Sequence, residues 1–286
     1  MPDILFLIFV VVAIILLWLM IYDTNRFVTI TYTVEDKRIQ KEFRAVVLAD
    51  LHNKSFGKEN DNLIKAIDDL KPDMILVAGD MLTAKPGADF KVALGLMQRL
   101  SEKYPIYYGN GNHEYRAKIY PEKYGDMHDQ YNGKLAELQI HQLINESEKP
   151  EGLGVCIYGL EIDRKYYKRF RSPHMSVEYL KEVLGPGDRE AYQIVLAHNP
   201  EYFDTYAAWG ADLVLSGHVH GGMVRVPLWG KGVLSPKVSF FPKYDGGSFV
   251  QGDSRMLLSR GLGTHTIPVR LFNPGELVCI DFNRAK

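Results

Sequence analysis

Residues 216–222 read Ser216-Gly217-His218-Val219-His220-Gly221-Gly222, directly after the apolar run Ala211-Asp212-Leu213-Val214-Leu215. The run has the length and composition of a short buried strand, and glycine ends it abruptly. Side chains two apart in an extended segment share a side, so His218 and His220 can enter one site together. Imidazole both ligates transition metals and carries protons. The flanking glycines let the backbone turn sharply and lie close to whatever the rings hold. Two histidines could also simply cap a strand, so the reading depends on whether other strands end in the same way.

They do. Residues 44–49, Arg44-Ala45-Val46-Val47-Leu48-Ala49, form an apolar strand that runs into Asp50-Leu51-His52. Residues 73–78 repeat the pattern and end in Gly79-Asp80, and Pro105-Ile106-Tyr107-Tyr108 ends in Gly109-Asn110-Gly111-Asn112-His113-Glu114. Tyr192-Gln193-Ile194-Val195-Leu196 ends in Ala197-His198-Asn199-Pro200. Helices are expected over 59–70, where Leu63, Ile64, Ile67 and Leu70 share a face, and over 90–100. In open α/β sheets, ligands gather beyond the carboxyl ends of the strands, where these polar residues would meet. Five strand ends thus offer Asp50, His52, Asp80, Asn112, His113, His198, His218 and His220. Carboxylate, amide oxygen and imidazole together suit manganese, iron or zinc, whereas an all-carboxylate set would suit magnesium or calcium. Two such ions could make a hydroxide near neutral pH and clamp the attacking and leaving oxygens of an in-line phosphoryl displacement.

These residues carry a family resemblance. Asp50-Leu51-His52, Gly79-Asp80, Gly111-Asn112-His113-Glu114, His198 and Gly217-His218-Val219-His220 resemble, in order, the five motifs of the calcineurin-like metallophosphoesterases. The tail Ser259-Arg260-Gly261-Leu262-Gly263, continuing Ile267-Pro268-Val269-Arg270-Leu271-Phe272, is similar to a membrane-associated, YkuE/YaeI-like bacterial branch. The resemblance implies a four-layer αββα sandwich of two mixed sheets. It implies two divalent metal ions, one held by Asp50, His52 and His220 and the other by Asn112, His198 and His218, with Asp80 bridging. His113 would not ligate but would stabilise charge or protonate the leaving oxygen, so catalysis falls to His113, Asp80 and Asn112. The implied substrate is a phosphodiester, pyrophosphate or phosphomonoester, with a lipid-linked nucleotide such as UDP-2,3-diacylglucosamine as one candidate. A phosphoprotein phosphatase and a catalytically silent metal-binding scaffold are the alternatives. Met223 departs from the branch, which commonly carries a polar residue there.

Outside this region, residues 4–22 form an apolar stretch with no charge, glycine or proline. At about 1.5 Å per residue, roughly 19 residues match the hydrocarbon thickness of a bilayer. The flanks, Met1-Pro2-Asp3 and Tyr22-Asp23-Thr24, lack the marks of a cleaved signal peptide. The expected organisation is a single-pass membrane anchor over 1–22 and a catalytic domain over 23–286, with about five residues between the anchor and the first strand. Arg26, Lys37, Arg38, Lys41 and Arg44 follow the stretch and no cation precedes it, so the positive-inside tendency leans toward a cytoplasmic domain at the cell membrane.

The chain of 286 residues is 46% hydrophobic, enough for a full core, and its net charge of −1 gives no field to recruit nucleic acid. Cys156 and Cys279 lie in separate apolar runs and read as free thiols. Residues 164–171 concentrate five cations and three aromatics, which reads as a solvated loop or as a collar for lipid headgroups or an anionic substrate. His128, His141, His174 and His265 fit no motif and are expected at the surface or in packing. A helical stretch near 135–143, a loop over 231–248 and strands over 28–34, 155–158, 255–259 and 277–281 complete the expectation.

Overall fold

The computed structural model describes residues 2–168, 173–227, 229–233, 240–264 and 268–286. Two six-stranded sheets lie face to face. In the first the order is β1 (Phe27–Asp36), β12 (Gly275–Arg284), β2 (Phe43–Leu48), β3 (Met74–Ala78), β4 (Ile106–Gly109) and β5 (His141–Leu143). In the second it is β10 (Gly247–Gln251), β11 (Ser254–Leu258), β9 (Leu213–Ser216), β8 (Tyr192–Ala197), β7 (Val155–Leu160) and β6 (Glu146–Glu148). Both are mixed. The run β2 to β5 is parallel, as is β11-β9-β8-β7, while β12 pairs antiparallel with β2 and β10 and β6 make antiparallel edges.

The layering follows from the two-residue period of each strand. In β2, Ala45 and Val47 face the second sheet while Val46 and Leu48 face outward. The inner core adds Leu76, Ala78, Ile157, Ile194, Leu196, Leu213, Leu215 and Ile280. The outer face of the first sheet is covered by α2 (Asp61–Leu70) and α3 (Lys91–Ser101) through Leu63, Ile64, Ile67, Leu96 and Leu100, and by α6 (Met127–Glu137) through Tyr131 and Leu135. On the second sheet, α7 (Val177–Leu184) and α8 (Phe203–Trp209) pack Leu180, Phe203, Tyr206 and Trp209. Helix, sheet, sheet, helix is the four-layer arrangement expected.

The first helix, α1 (Pro2–Thr24), stands outside these layers with its large apolar side chains exposed, Phe6 and Phe9 at 69% and Trp18 at 60%. It runs two residues past Tyr22, so Asn25 and Arg26 are the whole link to β1, not five residues. The extension has a local cause: Thr24 Oγ1 and Asn25 Nδ2 donate to the carbonyls of Met20 and Ile21 and cap the last turn. Asp23, 3% exposed, accepts from Arg26 and from the Asn273 amide, and the Arg270 amide donates to Thr24 Oγ1. The end of α1 is thereby fastened to the segment before β12.

Several local expectations change. The segment after β4 holds three helices, α4 (Asn112–Ile119), α5 (Pro121–Tyr124) and α6, and α6 stops at Glu137, so 141–143 is strand. β1 and β2, consecutive in the chain, are kept apart by β12, which inserts between them. Of the basic-aromatic tract, Arg164–Tyr167 is a short 3-10 helix whose Tyr166 and Tyr167 are buried, so its tyrosines belong to the core and not to a solvated loop. Arg169, Phe170 and Arg171 lie outside the described residues, as do His265, Ile267 and 234–239 of the expected loop.

Candidate metal centre

At the strand ends, backbone hydrogen bonds continue past the sheets and draw the loops together. Asp50 N donates to Gly79 O, His52 N to Asp80 O and Gly217 N to His198 O. The side chains then meet although the two sheets supply them separately. Asp50, His52 and His220 bring ligand atoms within 4.8 Å of one another, and Asp80, His198 and His218 do the same. Asp50 Oδ1 lies 3.3 Å from His220 Nε2 and 3.7 Å from His52 Nε2, and these two nitrogens are 3.2 Å apart. Asp80 Oδ2 lies 3.0 Å from His198 Nε2 and 3.8 Å from His52 Nε2, so it sits between the two groups.

His218 and His220 arrive by a different route from the extended one expected. Both have positive φ, 74° and 54°, and the turn sends His218 toward Asp80 and His198 while His220 joins Asp50 and His52. One strand end therefore serves both groups. Asp50 and Asp80 also sit at positive φ, 50° and 56°. Their carboxylates are gripped as well as aimed: both Asp50 oxygens accept from His218 N, and Asp80 Oδ1 accepts from His113 N at 2.7 Å.

Neighbouring groups fix the ring tautomers. His198 Nδ1 is 2.7 Å from the Ala78 carbonyl, an acceptor only, so Nδ1 carries a proton and the ring points Nε2 at Asp80, 3.0 Å away. His113 is wired oppositely. The Ala84 amide donates to its Nδ1 at 2.8 Å, so the neutral ring carries its proton on Nε2. His113 comes within 4.8 Å of His52 and Asp80, but on this wiring it faces them as a donor. Asn112 opens α4, and its Oδ1 is buried with no hydrogen-bond partner among the described residues.

Glu114 holds the floor. Its carboxyl accepts from the amides of Asp80, Met81 and Gly111 at 2.8–3.0 Å and from Tyr108 OH at 3.0 Å. Burial and the nearby Asp80 charge push it up to about 7 against those donors. Glu114 thus orients its neighbours. For Asp50 and Asp80, burial opposes charge, but His220 and His52 around the one and His198 and His113 around the other hold both well below the usual carboxylate range. Burial likewise opposes charge on His198, yet Asp80 and Asp50 push it up to about 10. Two buried carboxylates surrounded by imidazoles and an unsatisfied amide oxygen fit divalent cations.

Two supporting residues lie outside the five strand-end motifs. Arg270, 1% exposed, donates to the carbonyls of Arg260, Gly261, Gly263 and Asn273. That braces the turn whose amides, Leu262 N and Gly263 N, hold Ala49 O and Asp50 O. Asn273 Nδ2 donates to the carbonyls of His220 and Gly222. The one available signal is polar residues in an otherwise apolar tail. His128 bonds Asp129 and Asn132, His141 bonds Glu148, and His174 is exposed, all far from these groups in role. The Met223 carbonyl accepts from Leu271 N.

Comparison with known proteins agrees with this geometry. The profile of the calcineurin-like phosphoesterases matches residues 43–222. A Campylobacter jejuni metallophosphoesterase is 27% identical over 267 residues, covering 88% of this chain and 62% of that protein. Phosphodiesterase YaeI of Escherichia coli is 26% identical over 227 residues, covering 78% and 76%. A Danio rerio transmembrane protein with a metallophosphoesterase domain is 25% identical over 246 residues, covering 85% and 53%. The chain therefore spans less than two thirds of the first and third of these relatives.

Proposed function

This chain belongs to the calcineurin-like phosphoesterases, and on that premise we propose that it is a two-metal phosphoester hydrolase, acting on a phosphodiester at a membrane surface. Asp50, His52 and His220 would hold one cation, Asn112, His198 and His218 the other, and Asp80 both. When bound, the cations supply Lewis acidity and acidify a water toward neutral pH. The chain's own residues do the rest. His198, oriented by Ala78 O, would turn Nε2 to a cation, and the Asp80 carboxylate is kept in place through Glu114 and the His113 amide. His113 Nε2–H faces the same space and is suited to donate to the leaving oxygen.

The observation that carries this reading is the opposite wiring of two histidines beside Asp80: His198 Nδ1 donates to the Ala78 carbonyl, whereas His113 Nδ1 accepts from the Ala84 amide. A phosphodiester is favoured because a relative covered over three quarters of its length is named a phosphodiesterase. The exposed apolar face of α1 supports a membrane span, and the basic residues after it support a cytoplasmic domain. A lipid-linked nucleotide, such as UDP-2,3-diacylglucosamine, would satisfy both the chemistry and the tether.

The test uses the full chain in detergent micelles with bis(p-nitrophenyl) phosphate and Mn²⁺, Fe²⁺ or Zn²⁺. Hydrolysis that needs metal and is lost on His113→Ala, with metal binding retained, supports the assignment. Tight metal binding with no hydrolysis under any of the three ions would favour a scaffold instead.

A further inference from the structure

Among the described residues outside α1, the largest exposed aromatic side chains are Trp229 at 79%, Phe240 at 68% and Phe241 at 64%. A soluble surface seldom exposes such rings close together in sequence without a partner. Here they occupy a hydrogen-bonded ribbon that leaves the metal centre directly after Gly222. Val224 pairs with Leu271, Arg225 pairs with Gly232, and the Val226 amide closes a hairpin on Lys231 O. Trp229 lies at the tip of that hairpin. The Val233 amide donates to Val224 O and the Phe241 amide to Val233 O, so the ribbon widens as it leaves Leu271.

The other side of Leu271 leads to α1. The Arg270 amide donates to Thr24 Oγ1 and the Asn273 amide to Asp23. One turn earlier on α1, Trp18 and Tyr22 stack with ring centroids 5.5 Å apart, the kind of pair found at a bilayer interface. Hydrogen bonds, accepted by side chains at α1 and by backbone beyond it, thus link the end of α1 to Phe241 through Leu271, Val224 and Val233. At about 4.8 Å per strand spacing, Phe241 is ~14 Å from Leu271. Phe272, 37% exposed, marks the near end of the same edge.

We propose that Trp229, Phe240 and Phe241 enter the lipid interface beside α1, making the hairpin a second membrane contact that turns the mouth of the metal centre toward the bilayer. This rests on the reading of α1 as a membrane span. The occupant is lipid because the ribbon is fastened to the end of an exposed apolar helix, and because exposed Lys231 and Lys243 flank the rings where anionic headgroups would lie. Asn273 ties the base of the ribbon to the His220 and Gly222 carbonyls, so the docked hairpin and the centre would move together. A substrate whose phosphate sits at the headgroup level would then reach the centre without leaving the membrane.

Tryptophan quenching tests this in the full chain, reconstituted in phosphatidylcholine and phosphatidylglycerol vesicles brominated near the top or the middle of the acyl chains. Trp209 is buried and serves as a silent reference. Trp18→Phe leaves Trp229 as the reporter, and Trp229→Phe leaves Trp18. The expected result is loss of Trp229 emission, stronger with shallow than with deep bromine, together with quenching of Trp18. Quenching of Trp18 alone overturns the hairpin contact and leaves the span standing. Quenching of neither overturns both. A Trp229 emission already blue-shifted in detergent and unaffected by bromine would assign the rings to a second copy of the chain and overturn the lipid contact.

Discussion

Gly111→Ala is the sharpest single perturbation of the centre, because it adds one carbon at the point where two loops touch. Gly111 has φ −95° and ψ −172°, a conformation alanine adopts without backbone strain, so any effect is steric. A Cβ there would lie 2.5 Å from the Asp80 nitrogen and nearer still to its Oδ1, where ordinary contact begins at 3.4 Å. Asp80 would have to retreat by ~1 Å, but its amide is held by Glu114 and its Oδ1 by the His113 amide. Overpacking of this kind costs about 1–3 kcal/mol. A ~1 Å misplacement of a carboxylate that sits between both groups should lower turnover on the order of 10²-fold. Calorimetric metal titration, thermal unfolding and hydrolysis of bis(p-nitrophenyl) phosphate read the three effects separately. The control is Gly133→Ala in α6, where a Cβ meets nothing within 4 Å and helix propensity should stabilise by about 0.5–1 kcal/mol. Wild-type metal affinity, turnover and melting temperature in Gly111→Ala would refute the packing argument and the role given to Asp80.

Other consequences are direct. Asp80→Ala should abolish metal-dependent hydrolysis while the chain still expresses and folds, measured by activity beside circular dichroism. Glu114, raised from 4.5 to about 7 by burial and Asp80, binds more protons folded than unfolded between those values, so it lowers stability as pH rises through that window. Urea unfolding of metal-free Glu114→Gln should therefore lose part of the fall in stability that wild type shows between pH ~4.5 and ~7. Arg270→Met leaves at least two buried carbonyls without donors and should destabilise by about 3 kcal/mol, read as a lower unfolding midpoint.

What the sequence made legible follows from period and punctuation. Strands buried on both faces, such as Val46-Val47-Leu48 and Ile75-Leu76-Val77, stand out as apolar runs, and the polar residues that stop them are the ones that converge. The helices of α2 and α3 show in the spacing of Leu63, Ile64, Ile67, Leu96 and Leu100. Less could be seen where burial has no period. Arg270 is buried by carbonyls from four residues that share no pattern, and Tyr166 and Tyr167 look exposed only because cations surround them in sequence. Strand order was hidden for a different reason: β12 reaches its place between β1 and β2 from more than two hundred residues away, by a hydrophobic match that many strands could offer. The handedness of the turn at His218 and His220 was hidden too, since alternation fits an extended segment and a left-handed turn equally well.

That handedness carries an energetic argument about the metal. Asp50, His52, Asn53, Asp80, His218 and His220 all have φ between 49° and 74°. For residues with a Cβ this conformation costs roughly 1–2 kcal/mol each, somewhat less for Asp and Asn. Six such residues within one centre amount to several kcal/mol, and the burial of two carboxylates adds to it. The hydrogen bonds from Asp50 N, His52 N and Gly217 N offset part of this, but each returns only about 1 kcal/mol. The remainder is what bound cations would offset, by neutralising Asp50 and Asp80 where the turns have aimed them. Stripping metal with chelator should therefore lower the unfolding temperature, and Mn²⁺ at ~100 times its Kd should restore about 2.7 kcal/mol, a shift of roughly 5–10 °C. Asp80→Ala should abolish that increment. A melting temperature indifferent to chelator and to Mn²⁺ would mean that the sheets alone sustain the strained turns, and the case for a metal centre built from them would fail on energetic grounds.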